Sequence, residues 1–407
     1  PRIADLLPFD LTVMFGLILY MAIVFRLRQY DWSSLPRMLW LYLPFMCLMI
    51  FSVYYSPLPA AGAEKALRFI LLTGLAIIAP FFLVDTPSRM RNYFITTLVL
   101  CFAISLEPVS QIGTPVTDDW DWRIKVAGGN AIELGASAVV GVTIILFVLL
   151  PQLNKCARPV RLYLTKAFLY LMITVFVLAL IGAAARSATV SLVAVVLLNA
   201  FFYRRGVWEL LLVTCLAACS LLFIDIPEHA VEYLGTLIEP DVESLVGWRG
   251  HLMLRGLELI AEHPILGVGL GAFPYYGTIP PPEPWFVYNW PHNVIIEIGC
   301  EMGLAAAMIA CVLIILAFVE TFRQLADGRF QYKIYTRLSL ACLIIGLISF
   351  VATGDINNQR PMWLYLSLPF VIRSFGSKRA SEYLDFRHLP SGPGRSRALP
   401  EQHLRNW

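Results

Sequence analysis

Apolar residues in this chain gather in long unbroken blocks, neither alternating as in strands nor striped as on a surface helix. The blocks cover residues 9–25, 35–55, 66–84, 93–112, 131–150, 163–185, 187–203, 208–224, 292–322, 338–353 and 361–375. A helix of roughly 20 residues crosses a bilayer, and the helices of a soluble domain carry a polar face that most of these blocks lack. Helices are the expected spanning element, because a helix satisfies its backbone polar groups within itself. The expected fold is therefore all-α, a polytopic membrane helical bundle of about eleven spans. Residues 1–224 would hold the first eight spans, 225–291 a large outer loop containing helices, 292–375 the last three spans, and 376–407 a basic tail expected to be disordered. No internal repeat of the kind found in many transporters is visible.

Charge gives the bundle a direction. Most of the 31 Lys and Arg fall on one side, in the segments around Arg26 to Arg37, Arg89 and Arg91, Lys155 to Lys166, Arg204 and Arg205, Arg323 to Arg337, and the tail from Arg373. Most of the 28 acids fall on the other. The positive-inside rule makes the basic side cytoplasmic and places the loops 108–130, 225–291 and 354–360 outside. With the tail inside, about eleven spans leave Pro1 outside, so a preceding helix is expected, giving about twelve spans and two cytoplasmic ends. The composition, 58% hydrophobic and 14% charged, departs from the roughly 45–50% and 25% of soluble domains. The eight cysteines have no metal-ligand spacing and read as small core residues. No nucleic-acid-binding signature stands out.

Candidate chemistry lies at the outer ends of the blocks. In the loop, Gly247-Trp248-Arg249-Gly250-His251 leads into a helix reaching about His263, stopped by Pro264 and the Gly267–Gly271 run. On that helix Arg249, Leu252, Met253, Gly256 and Ile260 share a face, opposite His251, Arg255, Glu258 and Glu262. A charge on an apolar face is costly unless paired, so Arg249 is either bonded to a structural carboxylate or aimed at an anion. Arg186 follows Gly182-Ala183-Ala184-Ala185, with Ser187 as the expected cap of the next helix, and is either an interfacial anchor or a second anion ligand. His292 starts the ninth span on a face with Ile295, Ile296, Gly299 and Gly303, with Glu297 and Glu301 opposite. A helix N-terminus keeps such an imidazole neutral and able to take a proton, though a lone histidine is as often a satisfied core residue. Trp120, Trp122, Tyr275, Tyr276, Trp285, Phe286, Tyr288 and Trp290 crowd the outer loops; they suit either sugar stacking or an interfacial aromatic belt. The glycine run lacks the strand that a nucleotide fingerprint needs, but could form a turn or an amide nest for phosphate.

Trp248-Arg249, the stretch from Glu262-His263-Pro264 to Gly271-Ala272-Phe273, Pro291-His292-Asn293 and Glu301-Met302-Gly303-Leu304 closely resemble the signature of the O-antigen ligase and O-antigen polymerase superfamily, most strongly over residues 246–304. Ala185-Arg186-Ser187 agrees with it. The resemblance implies a GT-C-like membrane glycosyltransferase of the bacterial inner membrane, with its active site facing the periplasm. Such a ligase moves O-antigen from undecaprenyl diphosphate to a sugar of the lipid A–core oligosaccharide, without nucleotide, metal or other cofactor. By resemblance, Arg186 and Arg249 bind the diphosphate, His292 is the base that deprotonates the acceptor, and Asp355 lines up with a further functional acid. Trp248, Tyr275, Tyr276, Trp290 and Asn293 complete the expected substrate-binding set. The rivals are an O-antigen polymerase, a protein O-oligosaccharyltransferase, and a transporter of lipid-linked sugars.

Overall fold

The computed structural model describes residues 11–28, 35–111, 131–153, 159–183, 185–203, 242–276, 290–328 and 330–388, with residues 30, 32 and 208. All but the first residue of the span expected at 208–224, and the aromatics of residues 112–130 and 277–289, lie outside these. The described residues are helical, with no strand: α1 Leu11–Leu27, α2 Met38–Tyr54, α3 Pro59–Leu83, α4 Pro87–Gln111, α5 Ala131–Leu153, α6 Pro159–Ala183, α7 Arg186–Phe202, α8 Val242–Glu262, the short α9 Phe273–Tyr276, α10 Val294–Met302, α11 Leu304–Ala326, α12 Lys333–Ala352 and α13 Arg360–His388. Among them α3, α5, α6, α11 and α12 are long and apolar enough to cross a membrane, and α1, α2 and α7 are shorter apolar helices. Large apolar side chains such as Phe25 (73% exposed) and Phe201 (81% exposed) cover the outside of the bundle. Water would penalise that surface and lipid does not, so this is a multi-pass membrane bundle.

The interior is packed around Trp363 of α13, whose ring lies 5.5 Å from Phe45, 5.2 Å from Phe69 and 5.7 Å from Phe350. Phe69 opens a five-residue π turn inside α3; such turns shift the register of a helix locally. At one end Gln324 of α11 holds the carbonyl of Pro369 at 2.6 Å and accepts from the Thr336 hydroxyl at 3.1 Å, while Arg373 pairs with Glu320 at 2.7 Å. These contacts lock α11, α12 and α13 together.

The ninth apolar block, expected as one helix over 292–322, is two. Gly303 ends α10 and caps α11 at φ 84°, ψ 170°. Only glycine adopts that conformation without a steric penalty, and a Cβ there would run into the Ile265 carbonyl. The Gly299/Gly303 pair is thus not one packing stripe: Gly299 meets the Ile260 side chain of α8, and Gly303 breaks the rod.

Candidate active site

His292 sits one residue before the helix cap of α10. The side-chain oxygen of Asn293 accepts the amide of Ile296 at 3.1 Å, which fixes the start of the helix. His292 itself has φ 56°, a positive φ found at no other non-glycine among the described residues. Left-handed backbone costs a side-chain-bearing residue about 1–2 kcal/mol and persists where surrounding structure imposes it, often at functional sites. The imposed conformation holds the imidazole 5.7 Å from the Trp290 ring, tilted by 60°. Burial drives the His292 pKa down to about 4, and the Arg249 guanidinium adds to the effect. The ring is therefore neutral at physiological pH, as expected, although burial rather than the helix terminus leads.

Arg249 acts on His292 electrostatically from α8. That helix buries Leu252, Gly256 and Leu259 against α10, where a Cβ on Gly256 would press on Ile296. Arg249 continues this line by one turn, beyond the packed part, and is exposed, so it does not sit in the middle of the apolar face. The opposite face is solvated: Arg255 pairs with Glu258 at 3.0 Å and Glu262 at 3.1 Å, and donates to the Tyr276 carbonyl at 3.2 Å.

A buried ionic cluster that sequence reasoning missed anchors α10 from its other side. Glu297 and Glu301 are each about 1% exposed, and Lys65 of α3 reaches both, at 2.5 Å and 2.6 Å. Glu297 also accepts the Ile356 amide at 2.9 Å. Asn357 donates to the Lys65 carbonyl at 3.1 Å and accepts from the Thr73 hydroxyl. The cluster joins α3, α10 and the 354–359 loop. The face of α10 opposite His292, to which the sequence assigned no role, is the more deeply buried of the two. Two carboxylates four residues apart on an apolar helix were the available signal, since buried charges need a partner; the partner lies 232 residues before the nearer of them, where no spacing rule could find it.

The glycine run is no phosphate nest. Gly267, Gly269 and Gly271 have positive φ, and their ribbon threads between α10 and α2. Amides of Val268, Gly269 and Leu270 donate to the carbonyls of Cys300 (2.7 Å), Glu301 (3.0 Å) and Ser52 (3.2 Å). The glycines are needed because backbone approaches backbone there, and the donors a nest would present are already used.

His292 and Trp290 line a cavity of about 690 Å³. Its depth is formed by Tyr93, Thr97 and Cys101 of α4, Val140 of α5, Ile345 and Gly346 of α12, and Leu364 and Tyr365 of α13. Its polar end carries Glu133, Asn358, Gln359 and Arg360 along with His292. An apolar shaft with a polar mouth matches a ligand with a greasy tail and a charged head.

The other expected residues fall in different places. Arg186 is the first residue of α7, half-buried; Ala185 occupies the cap position, no side chain caps the helix, and Ser187, the expected cap, lies inside the first turn. A Cβ on Gly135 would meet Ala185 and Ala188 at 3.0 Å and 2.9 Å, so Arg186 stands beside the first turns of α5, whose Glu133 and Ala136 line the cavity. Arg186 itself is not among the lining residues. The Asp355 carboxylate accepts the amides of Asn357 and Asn358 at 2.7 Å and 3.0 Å and the Asn358 side chain at 2.8 Å, a turn-forming arrangement. Asn293 acts as the cap described above. Tyr275 and Tyr276 stack edge-on at 4.9 Å beside His263, away from the cavity lining. Trp248 lies on α8 directly before Arg249.

No curated protein matches the chain. A family model described as O-Antigen ligase matches residues 167–311, a stretch that begins in α6 and ends in α11 and includes Arg186, Arg249 and His292. Over that stretch, which holds the neutral histidine at the mouth of an apolar shaft and the arginine that acts on it, this chain is similar to the O-antigen ligase family.

Proposed function

We propose that this protein is an O-antigen ligase of the bacterial inner membrane. It transfers O-antigen polysaccharide from undecaprenyl diphosphate to a lipid A–core sugar at the periplasmic face, by inverting displacement without metal or cofactor. The observation that carries this reading is His292, held neutral by burial beside Arg249 and opening onto a cavity with an apolar shaft. The polyprenyl tail takes the shaft, the diphosphate lies at its mouth, and the whole is a GT-C-like membrane bundle.

The chemistry follows from those groups. An acceptor hydroxyl attacks the anomeric carbon from the face opposite the diphosphate; the new C–O bond forms as the bond to the phosphate oxygen breaks, so configuration inverts. His292 takes the hydroxyl proton. With a pKa of about 4 the imidazole is a weak base, so the proton moves late, when bond formation has made the hydroxyl acidic. Imidazolium beside Arg249 is unfavourable, which returns the proton to water. Arg186 and Arg249 grip the departing diphosphate and offset its growing charge.

Single Arg186→Ala, Arg249→Ala and His292→Ala variants, examined by lipopolysaccharide gel, test this. Loss of long chains on lipopolysaccharide with accumulation of lipid-linked polymer is expected. Accumulation of single lipid-linked repeats identifies a polymerase instead. Normal transfer by all three variants refutes the site, as does loss of transfer by the wild-type protein in chelator for the metal-free mechanism.

A further inference from the structure

Arg360, the first residue of α13, lines the same cavity as His292. It is half-buried, and its Nε–H is fully buried without an acceptor. Among the described residues no carboxylate lies within ion-pairing distance of it; Glu133, exposed on the cavity rim, does not pair with it. The first turn of a helix is also the unfavourable end for a cation. Trp290 lines the cavity too, and its indole N–H is likewise buried without an acceptor. Two donor groups with unmet hydrogen bonds, one of them cationic, thus border one cavity. Such groups are expensive to leave unsatisfied, and an acceptor-rich anionic guest is the kind of partner they lack.

We propose that Arg360 is a phosphate-binding residue of the donor site, taking diphosphate oxygens at the mouth of the cavity while the polyprenyl chain fills the apolar shaft. Position supports the assignment. The 354–359 loop that delivers Arg360 is tied through Ile356 to Glu297 of α10, and through Asn357 to Lys65. The scaffold that sets the start of α10, and with it His292, therefore sets Arg360 as well. A guanidinium so held meets phosphate oxygens with charge-assisted hydrogen bonds. The inference rests on the donor reading proposed above.

Full-length protein in lipid nanodiscs, wild type and Arg360→Gln, is titrated with undecaprenyl diphosphate, with undecaprenol, and with phosphorylated lipid A–core lacking O-antigen. Arg360→Gln is expected to weaken undecaprenyl diphosphate binding by about tenfold or more and to leave undecaprenol binding unchanged, since the alcohol lacks the anion. Arg360→Lys, which keeps the charge without the fork, restores part of the loss; it also serves if the glutamine variant does not fold. Wild-type affinity for the diphosphate in Arg360→Gln overturns the proposal. So does weakening confined to phosphorylated lipid A–core, which would assign Arg360 to the acceptor, or equal weakening for undecaprenol, which would mark collapse of the shaft. Failure of the wild-type protein to bind undecaprenyl diphosphate refutes the donor reading itself, and this inference with it.

Discussion

Replacing Lys65 by methionine takes the cation away from two carboxylates that are each about 1% exposed. Methionine keeps most of the volume, so the loss is mainly electrostatic. Removing one member of a buried ion pair costs about 3–5 kcal/mol, because the remaining charge has neither water nor partner. Here two carboxylates share one cation. Glu297 keeps the Ile356 amide at 2.9 Å, whereas the other hydrogen bond to Glu301, from the Phe273 amide, is long at 3.4 Å. The lower half of that range is therefore expected for Lys65→Met. Glu301→Gln leaves the Lys65–Glu297 pair standing and should cost about 1–3 kcal/mol, the scale of a hydrogen bond to a charged group. The double variant should be at least about 1 kcal/mol more stable than the sum of the singles, since each removes the same contact. Unfolding by SDS titration of the purified protein in mixed micelles measures all three. The functional counterpart is the rate of glycan transfer: release of α10 from α3 moves His292, so turnover should fall more than donor affinity. Wild-type unfolding and wild-type turnover in Lys65→Met would refute the anchoring role.

Other expectations follow from the same geometry. His292→Gly relieves the positive φ at 56°; it should leave stability equal or up to about 1 kcal/mol higher while lowering transfer by at least about a hundredfold, read from unfolding and turnover on the same sample. Transfer by the wild-type protein should fall below a midpoint near pH 4 as His292 gains a proton. Removing the Arg249 charge by Arg249→Gln should move that midpoint upward in the residual activity, and a downward or absent shift refutes the pairing. The sign for stability agrees: the folded pKa is depressed below the ordinary histidine value near 6.5, so between those values the unfolded chain binds the proton first and stability falls as pH falls. Gly303→Ala forces a side chain into φ 84° against the Ile265 carbonyl and should abolish recovery of folded protein; normal yield would show that the break between α10 and α11 is dispensable.

Periodicity and charge determined much of this protein by themselves. Unbroken apolar blocks of membrane length made it helical and membrane-spanning, because a helix satisfies its backbone within the segment, whereas a barrel strand would be shorter and alternate apolar with polar residues. Local spacing along α8 separated Arg255, on the solvated face, from the face that carries Arg249, though only the structure put Arg249 beyond the packed part of that face, and the motif around Pro291-His292-Asn293 pointed to the histidine. Those are properties of neighbours in sequence. Tertiary structure alone decided what distant neighbours do. Lys65 meets Glu297 and Glu301 across the bundle, a partnership fixed by packing rather than spacing. Burial, which no residue shows in isolation, lowers the His292 pKa, and its positive φ sits where the chain turns into α10. The three glycines of the 267–271 ribbon look alike in sequence to a phosphate loop, and only the carbonyls of Cys300, Glu301 and Ser52 opposite them show that their segment is a structural clamp. Arg360 was one arginine among many until the fold placed it, without a counter-charge among the described residues, on the wall of the cavity that His292 shares.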